Sequence, residues 1–230
     1  MKTRITILVT YLCLLTLSAR AAETSASKAE SFEAASARFE QNATDGDVEA
    51  VFEAIGGDEG FAKLTVVAPD GRTIVDFKSP DGGKMGMRQF RFESPEPTDV
   101  AALKKAYPEG DYIFSGSTAS GTPFKDKVTL SHKLPPTTKF VSPKADAQNV
   151  SAKNLKISWA PVKGVDGYTI ELDPSKTSAH LELKLPASVT SIIVPDGILA
   201  PGAKCQLGIG TVSKDGNVSV IETTFTTGSK

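Results

Sequence analysis

"LKISWAPVKGVDGYTIEL", residues 155–172, holds the chain's one tryptophan. Along Leu155-Lys156-Ile157-Ser158-Trp159, apolar and polar residues alternate strictly. Successive side chains of a strand point to opposite faces, so Leu155, Ile157 and Trp159 share one face. Tyr168-Thr169-Ile170-Glu171-Leu172 alternates in the same way. A tryptophan in phase with two aliphatic residues of its own strand belongs to a core. A binding platform would sit out of phase or on a loop, so Trp159 reads as structural.

A second stretch, "TSIIVPDGILAPGAKCQLGIGTVSKDGNVSV" at residues 190–220, adds Leu199-x-Pro201-Gly202 at a corner and an Asp-Gly-Asn turn between two alternating strands. The two stretches together resemble a fibronectin type III module. The first supplies strands B and C, with apolar-x-apolar-x-Trp, Pro-Val and Gly-Tyr; the second fits strands E to G. The resemblance implies a β-sandwich over residues 137–228. One departure is plain: the family usually has a corner tyrosine, whose hydroxyl bonds back to the backbone, where this chain has Cys205. Cys205 is in phase with Leu207 and Ile209, and is expected to be a buried, unreactive thiol.

The opening "MKTRITILVTYLCLLTLSARAAE" has a basic start at Lys2 and Arg4, an apolar run from Ile5 to Leu17, and the small-x-small site Ala19-Arg20-Ala21. This is the form of a cleaved signal peptide, placed at 1–22. The apolar run is too short for a good membrane span. Cys13 would leave with it, and one remaining cysteine makes no internal disulfide. Stability must then come from buried cores. With 26 basic and 27 acidic residues, no basic field points to nucleic acid. Three N-x-S/T sequons stand at Asn42, Asn149 and Asn217.

Residues 23–35 are rich in Ala, Ser and Glu. Phe32 and Phe39 lie at i and i+7, so this segment reads as a linker or a short helix. Beyond it, short apolar runs alternate with Pro69-Asp70-Gly71, Pro80-Asp81-Gly82-Gly83 and Pro108-Glu109-Gly110, the punctuation of tight turns. One short helix is predicted at Asp99 to Ala106, capped by Thr98 or Asp99. The expected fold is all-β: two tandem Ig-like/fibronectin-type β-sandwiches, an Ig-like one at 36–134 and the fibronectin-like one at 137–228. Between them Pro135-Pro136 would form a semi-rigid hinge. "RFEQNATDGDVEAVFEA", "APDGRTIVDF", "AYPEGDYIFSGS" and "VTLSHKLP" are similar to segments of exported bacterial proteins that carry a fibronectin-like module at the C-terminus. That likeness implies a bacterial source and carries over no catalytic residue.

Chemistry is sparse. His132 and His180, the only histidines, fall in different halves, each within an alternating pattern. There is no His-Glu-x-x-His, no paired-cysteine zinc spacing and no Gly-x-Ser-x-Gly elbow. "GSTASG" at 116–121 lacks the lysine and following helix of a phosphate loop, and reads as a hairpin loop. The acidic stretch "NATDGDVE" is the best candidate site: Asn42, Asp45, Asp47 and Glu49 supply oxygens of the kind calcium takes. It also fits a solvated turn between strands. No catalytic, cofactor-binding or metal residue is therefore assigned, and no cofactor is expected.

The expected function is an exported, secreted or periplasmic, non-catalytic binding, adhesion or spacer module. It would act as a monomer on a protein or glycan at the cell surface, with no role for nucleic acid and none for a membrane after signal cleavage. The competing reading is a carboxylate-dependent hydrolase, or an accessory protein, acting on cell-surface polysaccharide.

Overall fold

The computed structural model describes residues 28–79, 86–97 and 99–229. The segment read as a signal peptide (with Cys13), the Pro80–Gly83 stretch and Thr98 lie outside them. The first half contains β1 (Ala34–Asn42), β2 (Asp47–Ile55), β3 (Lys63–Val67), β4 (Thr73–Lys78), β5 (Gln89–Glu93), α1 (Val100–Ala106), β6 (Gly110–Ser117) and β7 (Pro123–Leu130). The second contains β8 (Phe140–Ser142), β9 (Lys156–Trp159), β10 (Gly167–Pro174), β11 (Leu181–Pro186), β12 (Ser191–Ile193), β13 (Lys204–Val212) and β14 (Val218–Thr226).

Both halves use one strand plan. The first, second and fifth strands form one layer, β1-β2-β5 and β8-β9-β12. The fourth, third, sixth and seventh form the other, β4-β3-β6-β7 and β11-β10-β13-β14. In a constant-type immunoglobulin domain the fourth strand joins the first layer. Here β4 pairs with β3, and β11 with β10. The chain is all-β, built as two sandwiches in tandem.

Each sandwich has its own core. Phe39, Phe52, Phe61, Leu64, Tyr112 and Phe114 fill the first, and Ile157, Trp159, Tyr168, Ile170, Leu172 and Phe225 the second. Burial of each such side chain contributes about 1.5–3 kcal/mol, which takes the place of a disulfide in holding the sandwiches. Trp159 is 2 % exposed, inward with Ile157, and its ring meets Tyr168 edge-on at 5.4 Å. Its indole Nε1 has no hydrogen-bond partner among the described residues, so it is held by packing alone. The Tyr168 hydroxyl accepts from the Val162 amide at 2.8 Å, pinning the Pro-Val segment onto this core.

The corners differ between halves. Tyr112 donates its hydroxyl to the Pro108 carbonyl at 3.0 Å, four residues back. Cys205 stands four residues after Pro201, as Tyr112 stands after Pro108, and its Sγ reaches only the Ala203 carbonyl, at 3.8 Å. Asp99 caps α1, accepting from the Ala101 and Ala102 amides. At Pro69-Asp70-Gly71 the glycine has φ +85°, and its amide donates to the Ala68 carbonyl.

Of the two readings of 23–35, a linker or a short helix, the described part shows no helix: it is extended. Glu30 bridges Phe124 of β7 in parallel, its amide donating to Pro123 and its carbonyl accepting from Lys125. The chain bends at Glu33 and enters β1, in the other layer. The spacing of Phe32 and Phe39 comes from this change of layer: Phe32 stacks on Phe124 at 4.9 Å, and Phe39 fills the core from β1. The Pro135-Pro136 segment, read as semi-rigid, is tied down by hydrogen bonds. Thr211 donates to the Pro136 carbonyl at 2.8 Å, and Thr138 donates to that of Ala160 at 2.6 Å.

What holds the halves together is a shared sheet. β14 pairs in parallel with β1, matching Glu40 to Val218, Gln41 to Ser219 and Asn42 to Val220. The two layers thereby merge into seven strands, β11-β10-β13-β14-β1-β2-β5. Under the seam the buried polar residues Thr211, Asn217 and Ser219 separate the two cores. Asn217 is fully spent there. Its Oδ1 accepts from the Phe39 amide, and its Nδ2 donates to the carbonyls of Ser131 and Lys133.

Candidate functional site

Cross-strand partners share a face, so the register lays out the solvent side of the seven-stranded sheet. Ile170, Leu172, Leu207 and Ile209 point into the second core and Ala37 and Phe39 into the first, leaving the alternate positions outward. One outward row reads Glu182, Glu171, Gly208, Glu222 across β11, β10, β13 and β14. The next places Asp173 and Thr224 on either side of Gln206. Beyond the seam, Glu40 lies opposite Glu49, Val51 opposite Glu93, and Glu53 opposite Arg91. Gly208 has no side chain to fill its place. A dent of about 70 Å³ remains, lined by Glu171, Asp173, Gln206, Gly208 and Glu222.

Beside this dent, the ligating atoms of Glu171, Asp173 and His180 all lie within 4.8 Å of one another. They form the one such group of three among the described residues. His180 Nδ1 meets Asp173 Oδ1 at 2.7 Å, and that bond raises the imidazole above its ordinary value. Partial desolvation on the sheet face pushes the Glu171 carboxyl up, with the neighbouring Asp173 adding to it. Chemically this is one imidazole and two carboxylates, a donor set compatible with a divalent ion. All three residues are exposed.

The acidic turn is organised as a turn. Asn42 Oδ1 accepts from the Thr44 amide, Asp45 Oδ1 from that of Asp47, and the Asn42 carbonyl from that of Gly46. Asn42 Nδ2 donates to both Asp45 Oδ2 and Glu222 Oε2, and Thr44 Oγ1 accepts from the Glu222 amide at 2.7 Å. These bonds latch the turn onto β14. Glu49 belongs elsewhere: it sits on β2, facing Glu40 on β1. Burial, then the charges of Glu93, Glu40 and Glu96, raise its carboxyl to about 7.

The histidines are off the strands. His132 follows β7 at the junction, where its ring stacks on Phe39 at 4.6 Å and its Nε2 meets the Tyr107 carbonyl at 2.7 Å. His180 precedes β11. Residues 118–122 close the β6–β7 hairpin, as read for "GSTASG". Glu171, Asp173 and His180 were passed over because a strand and the end of a hairpin loop supply them. The signal available was the outward phase of 171 and 173.

No family model and no curated protein matches the chain. Solved structures similar to it include the FN1–FN3 domains of chicken CNTN1, at 13 % identity and TM-score 0.35, covering 87 % of this chain. The chain spans 65 % of that structure's length. A two-domain fibronectin type III segment of chicken tenascin matches at 16 % identity and TM-score 0.31, with 86 % of this chain and all of that one covered. Fibronectin(III)-like modules of Clostridium thermocellum CbhA match at 12 % identity and TM-score 0.35, with 85 % and 91 % covered. Among the described residues no helix is long and apolar enough to cross a membrane.

Proposed function

We propose that this chain is an exported, non-catalytic spacer and binding module that holds two sandwiches in one fixed arrangement at the cell surface or in the periplasm. The observation that carries the reading is the seven-stranded sheet crossing from one half to the other, with Asn217 locked beneath its seam. A flexible string of modules would need neither. The continuous outward face is the surface offered to a partner, a protein or a glycan, and the chain acts as a monomer. Small-angle scattering of the mature chain tests the arrangement: one rigid particle is expected, and an articulated ensemble would overturn the spacer reading. A glycan array run beside a pull-down of surface proteins tests the ligand class.

A second reading has one observation in its favour. Glu49, at about 7 and opposite Glu40, is the kind of carboxyl a hydrolase uses as a general acid. It stands on an open sheet face, which favours binding over chemistry. Turnover of a surface polysaccharide that vanishes in Glu49→Gln would establish the hydrolase; no turnover by the purified protein is expected.

A further inference from the structure

We infer, resting on the spacer reading above, that the β1–β14 pairing is a shear clamp: it bears tension between the two ends of the chain and yields before either sandwich unfolds. The argument starts from strand direction. The register of β1 and β14 rises together from Glu40 and Val218 to Asn42 and Val220, so the strands are parallel. β1 is entered at Ala34, and β14 is left at Thr226, farther along the same direction. A pull on the two ends of the chain therefore slides one strand along the other. Bonds loaded across their length in this way must break together, whereas a hairpin pulled from its open end loses them singly.

The bonds in that position are specific. The Ala43 amide donates to the Val220 carbonyl at 2.8 Å and the Phe39 amide to Asn217 Oδ1 at 2.8 Å. The Glu222 amide donates to Thr44 Oγ1 at 2.7 Å, and Asn42 Nδ2 to Glu222 Oε2 at 3.1 Å. The acidic turn thus acts as the clamp's catch. The proline linker is a second connection in parallel with the clamp, and it carries the load alone once the clamp has given. Each clamp strand is rooted more firmly than it is clamped. β1 matches β2 over nine residue pairs and β14 matches β13 over nine, against three between β1 and β14. The seam gives first, and the sandwiches part while still folded.

Single-molecule pulling on the full chain, tethered through the exposed residues Glu33 and Ser229 so that the load enters β1 beyond the Glu30 bridge to β7, tests this. Ala43→Pro removes the donor to Val220 at the second position of a turn, which proline favours. Thr44→Val removes the catch on Glu222. Both sit on an exposed turn, and each is made alone and together. The expected record has one short step before two larger unfolding events. The short step should be about two- to tenfold faster at a given load in each variant, the effect of losing a hydrogen bond, with the later events unchanged. A record without the short step, or a step indifferent to both variants, would overturn the clamp. If scattering shows a rigid particle at rest and the step is missing, the clamp alone fails; an articulated particle at rest removes the spacer reading with it.

Discussion

Asn217 holds the Phe39 amide with its side-chain oxygen at 2.8 Å, across 178 residues of chain. The same side chain donates to the carbonyls of Ser131 and Lys133 at the end of the first half. The Phe39 amide, on a fully buried residue, would otherwise lack a partner, and the same side chain ties two carbonyls of the junction to it. A glycan cannot be carried there. In a host that glycosylates sequons, Asn149, which is exposed, should be modified, and Asn217, with no exposed surface, should not. Glycopeptide mass spectrometry checks this; occupancy of Asn217 would mean that the seam is open.

The two corners should answer differently to mutation. Tyr112→Phe removes the hydroxyl that bonds the Pro108 carbonyl, and should cost about 0.5–1.5 kcal/mol by denaturant titration. Cys205 has no such bond to lose, and burial pushes its thiol up, away from the reactive thiolate. It should label slowly in the native state and at full rate when unfolded. Rapid native labelling would place its side chain outside the core.

Trp159→Ala should destabilise the chain by about 3–5 kcal/mol, a large-to-small change in a packed core. Because Nε1 makes no hydrogen bond to a described residue, Trp159→Phe should cost clearly less than Trp159→Ala. Thermal melts of the three proteins compare them. An unchanged melting temperature in Trp159→Ala would sink the structural role.

The Glu49 carboxyl, raised to about 7 in the fold from an ordinary 4.5, makes stability depend on pH with a definite sign. The folded state holds this proton more tightly than the unfolded one. Its contribution is full below about pH 4.5 and is lost as pH rises through about 7. Glu49→Gln, a permanent mimic of the protonated form, should be more stable than wild type by about 1–2 kcal/mol at pH 8, a figure reduced for solvent screening. The difference should vanish near pH 4. Melting both proteins across this range checks it; equal curves at pH 8 would mean that Glu49 is solvated.

The strands and their inward phase were legible because alternation is local: Leu155 to Trp159 and Tyr168 to Leu172 state their own faces. The Asp99 cap was legible for the same reason. The seam was not. A parallel pairing between residues 40 and 218 leaves no mark on the pattern of either strand. Asn217 reads as a turn residue and a sequon until Phe39 is beside it. The change of layer at Glu33 is not legible, because two phenylalanines seven apart fit a helix as well as a bend between sheets. Glu49 was grouped with Asp45 and Asp47 by proximity in sequence, although its neighbours in charge, Glu93 and Glu96, come from another strand and the loop after it.

The central claim is that the two sandwiches form one unit through β14, β1 and Asn217. Equilibrium unfolding of Asn217→Ala, followed at once by Trp159 fluorescence in the second half and by hydrogen exchange of the β2 amides in the first, tests it most directly. In the wild type the two probes should give one coincident transition. The substitution strands the buried Phe39 amide, at about 1–3 kcal/mol, and releases the two junction carbonyls, so both probes should shift together. Two separate wild-type transitions, or a fluorescence shift with β2 exchange unmoved, would contradict the account.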